Sequence, residues 1–276
     1  MEAERTASMA APDPLNTWEA VARIRATAPL VHSITNYVVM NTTANALLAL
    51  GASPVMAHAE EEVEDMVGIA SALVLNIGTL SPAWVSAMAK AAACAARRSI
   101  PLVLDPVGAG ATPYRTRAVQ ELLAIARPSI LRGNASEILA VAGAEAATRG
   151  VDSVAASGDA LAAARALQER LGCAVCISGE TDYVVGPGSL VKIRNGHALM
   201  PRVTGLGCTA SALCGAFAAV TPDPACAAAQ AMAVMGVAGE MAAARAEGPG
   251  TLQLHFLDAL HRLDAAELEA RLRVEA

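Results

Sequence analysis

Lysine is almost missing from this 276-residue chain: only Lys90 and Lys192 occur, and neither follows a glycine loop. A phosphate loop of the G-x-x-x-x-G-K-[ST] type is therefore excluded, and any bound phosphate must be held by other means. Aromatic residues are nearly as scarce, at two Trp, three Tyr and two Phe. Little ring surface is available to stack on a nucleotide base, which aliphatic side chains would have to grip instead. The balance of charge is acidic, −6 at pH 7, which argues against a protein that tracks nucleic-acid phosphates. The six cysteines are scattered and lack the dense spacing of a secreted disulfide scaffold. Cys173 and Cys176 form a C-x-x-C, but no second pair or His pair completes a zinc site, and in a strand residues three apart point to opposite faces. Two small core residues are expected there.

No targeting segment is evident. Residues 1–14 mix Glu2, Glu4, Arg5 and Asp13 with small side chains and lack the apolar run of a signal peptide. The apolar run Ala225–Gly239 is rich in alanine, includes Gln230, and falls short of the ~20 residues that cross a bilayer. The expectation is a cytoplasmic protein with no membrane and no nucleic-acid partner. Residues 1–15 read as a flexible tail and 16–276 as a single domain.

What the chain does have is 54% hydrophobic residues and only 17% charged ones, enough to build a large core. Alanine fills 65 positions, so much of that core must be small side chains packed closely. Apolar runs without polar alternation, such as 72–77 and 102–104, fit strands covered on both faces. Helical periodicity follows them, with Ser81-Pro82 as a helix start and Gly51 as a stop. Strands are expected at 30–34, 53–56, 72–77, 102–105, 129–131 and 174–177. Two more should meet at Gly186-Pro187-Gly188. Helices are expected at 38–50, 60–69, 81–98, 116–127 and 160–171, after Asn134, and through most of the chain beyond Gly207, with a loop over 143–158. Alternating β and α elements imply a three-layer α/β/α sandwich with a mainly parallel sheet.

In such sheets the ligand lies at the carboxyl ends of the strands. Polar residues and glycines gather at those ends in 32–36, 76–79, 105–110, 132–137 and 177–180. A further stretch, Val203-Thr204-Gly205-Leu206-Gly207-Cys208-Thr209, opens a long helix. Its glycines let backbone N–H groups face an anion, and the helix start adds partial positive charge without any lysine. Cys208 falls in the first turn, where the helix end should pull its thiol pKa down. Asp105 ends a buried strand, which is costly unless it is paired or near a cation. Asn134 and Glu137 stand one turn apart, either as a capping box or as a polar pair facing one way. Carboxylates together with nucleotide phosphates suit Mg²⁺, which uses few protein ligands.

These motifs, in this order, resemble the hydroxyethylthiazole kinase family of the ribokinase-like superfamily. The resemblance rests on PLVHSITN (29–36), ALGASPVMAHAEEE (49–62), LVLNIGTL (73–80), LDPVGAGAT (104–112), LRGNASEI (131–138), ISGETD (177–182), VTGLGC (203–208) and GPGT (248–251). Cys208 stands where other ribokinase-like enzymes carry Asp, which favours the thiazole branch. The resemblance implies ATP- and Mg²⁺-dependent phosphorylation of the hydroxyl of 4-methyl-5-(2-hydroxyethyl)thiazole in thiamine salvage. It also implies contacts to the thiazole from Asn36, Met56 and Gly205, and to ATP from Arg132, Ser178, Gly205 and Gly207. Asp105 and Glu137 would organise the metal, with Cys208 beside the substrate hydroxyl. A homotrimer with its thiazole pockets at subunit interfaces is implied as well. Two departures stand out: Ser178 where Thr is common, and Leu206 in place of a smaller residue between the glycines. Rival readings are a hydroxymethylpyrimidine kinase, an NAD(P)HX dehydratase-like lyase and a non-catalytic thiazole-binding protein.

Overall fold

Alternation of apolar strands and small-faced helices produces a nine-stranded sheet between two helical layers. The computed structural model describes residues 13–143 and 153–276. The strands are β1 (Leu30–Ile34), β2 (Ser53–Val55), β3 (Ala72–Asn76), β4 (Leu102–Asp105), β5 (Ile130–Asn134), β6 (Ala174–Ser178), β7 (Asp182–Gly186), β8 (Ser189–Ile193) and β9 (Val274–Glu275). Their spatial order is β2-β1-β3-β4-β5-β6-β7-β8-β9. From β2 to β6 every pairing is parallel, and from β6 to β9 every pairing is antiparallel.

The two sheet faces are divided by side-chain alternation. Val31, Val74, Val103, Ile130 and Cys176 pack into one core with α1 (Thr17–Thr27), α2 (Met40–Leu50), α8 (Leu206–Ala218), α9 (Pro224–Ala243), α10 (Pro249–Arg262) and α11 (Ala265–Arg271). Leu73, Leu75, Leu102, Leu104, Leu131 and Val175 pack into the other, beneath α3 (Val63–Ile69), α4 (Pro82–Arg98), α5 (Pro113–Ile125), α6 (Ala135–Ala142) and α7 (Ser153–Leu171). Cys173 and Cys176 fall in opposite layers as free, buried thiols, as their spacing requires.

Several local expectations shift. Helix α5 begins at Pro113 rather than 116, because Thr112 accepts a hydrogen bond from Arg115 N and Pro113 takes the first helical position. Helix α7 begins at Ser153, inside the stretch read as loop, and residues 144–152 of that stretch lie outside the described residues. Residues 1–12 of the expected tail also lie outside them. Asp13 to Leu15 are docked: Leu15 is buried, and the Asp13 carboxylate accepts from Leu15 N and Thr17 Oγ1. The alanine-rich run is longer than it reads, since α9 reaches 20 residues. It is long and apolar enough to cross a membrane by composition, yet 83% of its most apolar window is buried inside the fold.

Close packing of the small-residue layer depends on Gly215. A Cβ there would stand 2.5 Å from Val74 Cγ2 and 3.2 Å from Val31 Cγ1. Gly215→Ala gains up to about 1 kcal/mol of helix propensity and loses about 1–3 kcal/mol to overpacking. Thermal unfolding should therefore show a lower Tm for the variant, and an unchanged or higher Tm would contradict this contact.

Candidate active site

At the carboxyl edge the face that carries Val74, Val103, Ile130 and Cys176 turns polar two residues on, at Asn76, Asp105, Arg132 and Ser178. Alternation keeps each of these on the α8 side. Asp105 is 1% exposed. Its Oδ2 accepts from Asn76 Nδ2 and Ser211 Oγ, both at 2.7 Å, while its buried Oδ1 has no partner among the described residues. Burial pushes the Asp105 carboxyl up to about 6, against the pull of Arg132 and with Glu137 adding to the rise. Arg132 is 7% exposed, and its buried Nε also lacks a partner. A Cβ on Gly207 would stand 3.2 Å from Arg132 Nη1, so the glycine lets the guanidinium lie against the start of α8.

Asn36, which follows β1, donates from Nδ2 to Asn76 Oδ1 at 2.8 Å and to Cys208 Sγ at 3.4 Å. Asn36, Asn76, Asp105 and Cys208 thus form one hydrogen-bonded group. The expected depression of the Cys208 thiol is corrected: burial and the Asp105 charge push it up, outweighing the hydrogen bonds from the two asparagines. Gly205, at φ 85°, is the residue before the first turn of α8. Leu206 is 9% exposed and packs into the α8 core, with part of its side chain lining the same cleft as Gly205 and Gly207, so it does not point out to solvent.

Glu137 completes a capping box: its Oε2 accepts from Asn134 N at 2.8 Å, and Asn134 Oδ1 accepts from Glu137 N at 3.0 Å. Its Oε1 accepts from Gly108 N at 2.8 Å, tying α6 to the loop after Asp105. A cleft of about 950 Å³ opens beside these groups, lined by Arg132, Asn134, Ser178, Gly205 and Gly207. That volume suits a nucleotide-sized ligand. Among the described residues no Phe, Tyr or Trp lines it; Met232, Met235 and Val203 do. Met56 follows β2 on the same edge but outside the hydrogen-bonded group. Its loop is pinned by His32 Nε2 on Ala57 O at 2.8 Å.

Ser211 and Arg115 lie outside the sequence motifs, and Asn76 lies in the polar stretch 76–79 without an assigned role. Asn76 and Ser211 hold Asp105. Arg115 donates to Ile77 O, Val107 O and Gly78 O, all at 2.8 Å, and so clamps the loops after β3 and β4 together. The signal for Asn76 was present, as a polar residue closing an otherwise apolar strand. Arg115 carried none, since its partners are backbone carbonyls distant in sequence.

The profile of the hydroxyethylthiazole kinase family matches residues 21–266. The chain is 66% identical over 264 residues to the hydroxyethylthiazole kinase of Syntrophus aciditrophicus (strain SB), covering 95% of this chain and 98% of that one. A solved hydroxyethylthiazole kinase structure from Pyrococcus horikoshii OT3 superposes with a TM-score of 0.87 at 43% identity, over 94% of this chain and 98% of that one. The pyridoxal kinase from Staphylococcus aureus, solved with AMP-PCP and pyridoxal, superposes with a TM-score of 0.63 at 15% identity, over 90% and 98%. At that identity the likeness concerns the fold, which is the ribokinase-like one.

Proposed function

We propose a route for phosphoryl transfer through this edge from one premise: the chain belongs to the hydroxyethylthiazole kinase family. It phosphorylates the hydroxyl of 4-methyl-5-(2-hydroxyethyl)thiazole with ATP. The observation that carries the route is the convergence of Asp105, Arg132, Cys208 and the glycine turn on one face of α8.

Phosphoryl transfer depends chiefly on positioning and charge stabilisation. Gly205 and Gly207 leave the backbone N–H groups at the start of α8 open to an anion, and the helix end adds partial positive charge. Arg132 supplies a fixed positive charge beside Gly207, and Ser178 lines the same cleft. Together they do the work for which no lysine is present. Asn36 and Met56 are assigned to the thiazole end, with Gly205 between the two substrates.

A divalent cation fits the donor set in a limited way. Among the described residues no three His, Cys, Asp or Glu side chains cluster as a metal site. The unpartnered Asp105 Oδ1 can ligate directly, whereas both Glu137 oxygens already accept backbone N–H groups and would act through water. Mg²⁺, which binds through few protein ligands and substrate phosphates, would supply charge neutralisation there. Cys208, as a neutral thiol beside the alcohol, orients the hydroxyl and takes little of its proton. Cys208→Ala should lower kcat by no more than about 10²-fold, the low end of general-base contributions. Unchanged kcat would remove the thiol from the reaction.

Tyr37 and Val38 are 64% and 63% exposed immediately after Asn36. This apolar surface beside the thiazole end supports a homotrimer whose neighbours cover it, and light scattering at micromolar protein would read the mass. The decisive assay supplies ATP, Mg²⁺ and a panel of heterocyclic alcohols and identifies the phosphorylated product by mass. The thiazole alcohol is the expected acceptor; preference for the hydroxymethylpyrimidine would overturn the assignment.

A further inference from the structure

Two side-chain amides separate the Asp105 carboxylate from the Cys208 thiol, and their orientation follows from chemistry. A carboxylate only accepts hydrogen bonds. Asn76, 1% exposed, must therefore present Nδ2 to Asp105 Oδ2, at 2.7 Å. Its Oδ1 then points the other way and accepts from Asn36 Nδ2 at 2.8 Å and from Gly78 N at 3.0 Å. Asn36 in turn spends both amide hydrogens, one on Asn76 Oδ1 and one on Cys208 Sγ. What remains of Asn36 is an acceptor, its Oδ1. The contact is tight: a Cβ on Gly78 would stand 2.5 Å from Asn36 Nδ2. Ser211 Oγ joins Asn76 on the same Asp105 oxygen, leaving Oδ1 of the carboxylate unpartnered.

We propose that Asn76 is a positioning residue for the phosphoryl transfer: its amide passes the polarity of Asp105 on to Asn36, so that Asp105 Oδ1 and Asn36 Oδ1 are the two acceptors kept for the reacting groups. An acceptor on Asn36 suits a substrate that arrives as an alcohol, because the hydroxyl donates to it and turns an oxygen lone pair toward the phosphoryl group. A reversed Asn36 would present a donor and compete for that lone pair. Asn76 touches neither substrate; it acts through its two neighbours, and this role rests on the kinase reading above.

The test is a double-mutant cycle on Asn76→Leu and Asn36→Ala, with nucleotide binding measured separately. Asn76→Leu should raise the KM of the thiazole alcohol about tenfold and lower kcat about tenfold. Metal-free ATP binding, read by calorimetry in EDTA, should stay within twofold, because Asn76 makes no contact in the nucleotide cleft. In the Asn36→Ala background Asn76→Leu should raise KM no further, while its effect on kcat through Asp105 persists. Where Asn76→Leu fails to fold, Asn76→Ala takes its place with the same expectations. KM effects that multiply in the double variant, or an equal loss of metal-free ATP affinity, would overturn the proposal and leave a packing role only. A wild-type protein that forms no thiazole phosphate overturns the functional reading first, and the two failures are thereby told apart.

Discussion

Asp105→Asn is expected to lower kcat by about 10²–10³-fold, the cost of removing a charge aimed at the transition state, while the protein remains folded. Asparagine has the same shape, and its carbonyl can still accept from Asn76 and Ser211. Its NH2 group then falls where the unpartnered Oδ1 now stands, placing a donor where an acceptor and a negative charge are required. Steady-state kinetics with saturating ATP and thiazole alcohol read the loss, and a variant within threefold of wild type would remove Asp105 from the chemistry. The pH profile gives an independent reading. With the carboxyl pushed up to about 6, kcat/KM of the wild type should fall about tenfold per pH unit below that value, since it reports the free enzyme. The same shift has a sign for stability. The folded state binds this proton more tightly than an unfolded chain does, so the contribution of Asp105 worsens as pH rises from about 4 through 6. Above that the buried charge costs about 3 kcal/mol at 1.36 kcal/mol per unit. The fold tolerates this cost at a carboxylate that the proposed route uses ionised.

Gly205→Ala should be the second most damaging change, because two penalties coincide. The residue sits at φ 85°, where a side chain costs about 1–3 kcal/mol, and its Cβ would be driven into Val39 Cγ1. Val39 is 2% exposed at the start of α2 and cannot swing away into solvent. The chain before α8 must then move, and a displacement of about 1 Å at a positioning group costs on the order of 10²-fold in rate. Calorimetry should show Tm lower by at least about 5 °C. Adding Val39→Ala should return the packing part but not the backbone part, so partial recovery is expected; full recovery would mean that the left-handed conformation costs nothing there.

The sheet was readable because its strands obey a simple rule. β1 and β4 lie where the apolar runs placed them, and α4 runs from the proline after Ser81 to Arg98. Even the site was partly spelled out: Val-Leu-Asn at 74–76, Val-Leu-Asp at 103–105, Ile-Leu-Arg at 130–132 and Cys-Ile-Ser at 176–178 repeat apolar, apolar, polar. Alternation alone turns those four polar residues toward one helix. What could not be read was which partners they meet. Ser211 lies 106 residues from the Asp105 it bonds, and Arg115 reaches carbonyls, which leave no mark in the sequence. The state of the Cys208 thiol is not legible in the sequence for a related reason. A helix start is visible in a sequence, but the depth of burial and the facing carboxylate are not, and here they prevail.

The alanine-rich layer formed by α8 and α9 has a consequence for how this protein can change over generations. In α9 the buried residues include Ala227, Ala228, Ala229, Ala231 and Ala233, with Gly236 and Gly239 pressed against neighbouring atoms. Most single-base changes in an alanine codon yield a larger side chain, and at these positions nearly every one is an intrusion. Cores of leucine and phenylalanine drift by trading volume between neighbours, one shrinking as another grows. This layer has almost nothing left to shrink, so compensation has few routes, and α8, with the glycine turn at its start, rests against a neighbour whose side chains have little room to grow.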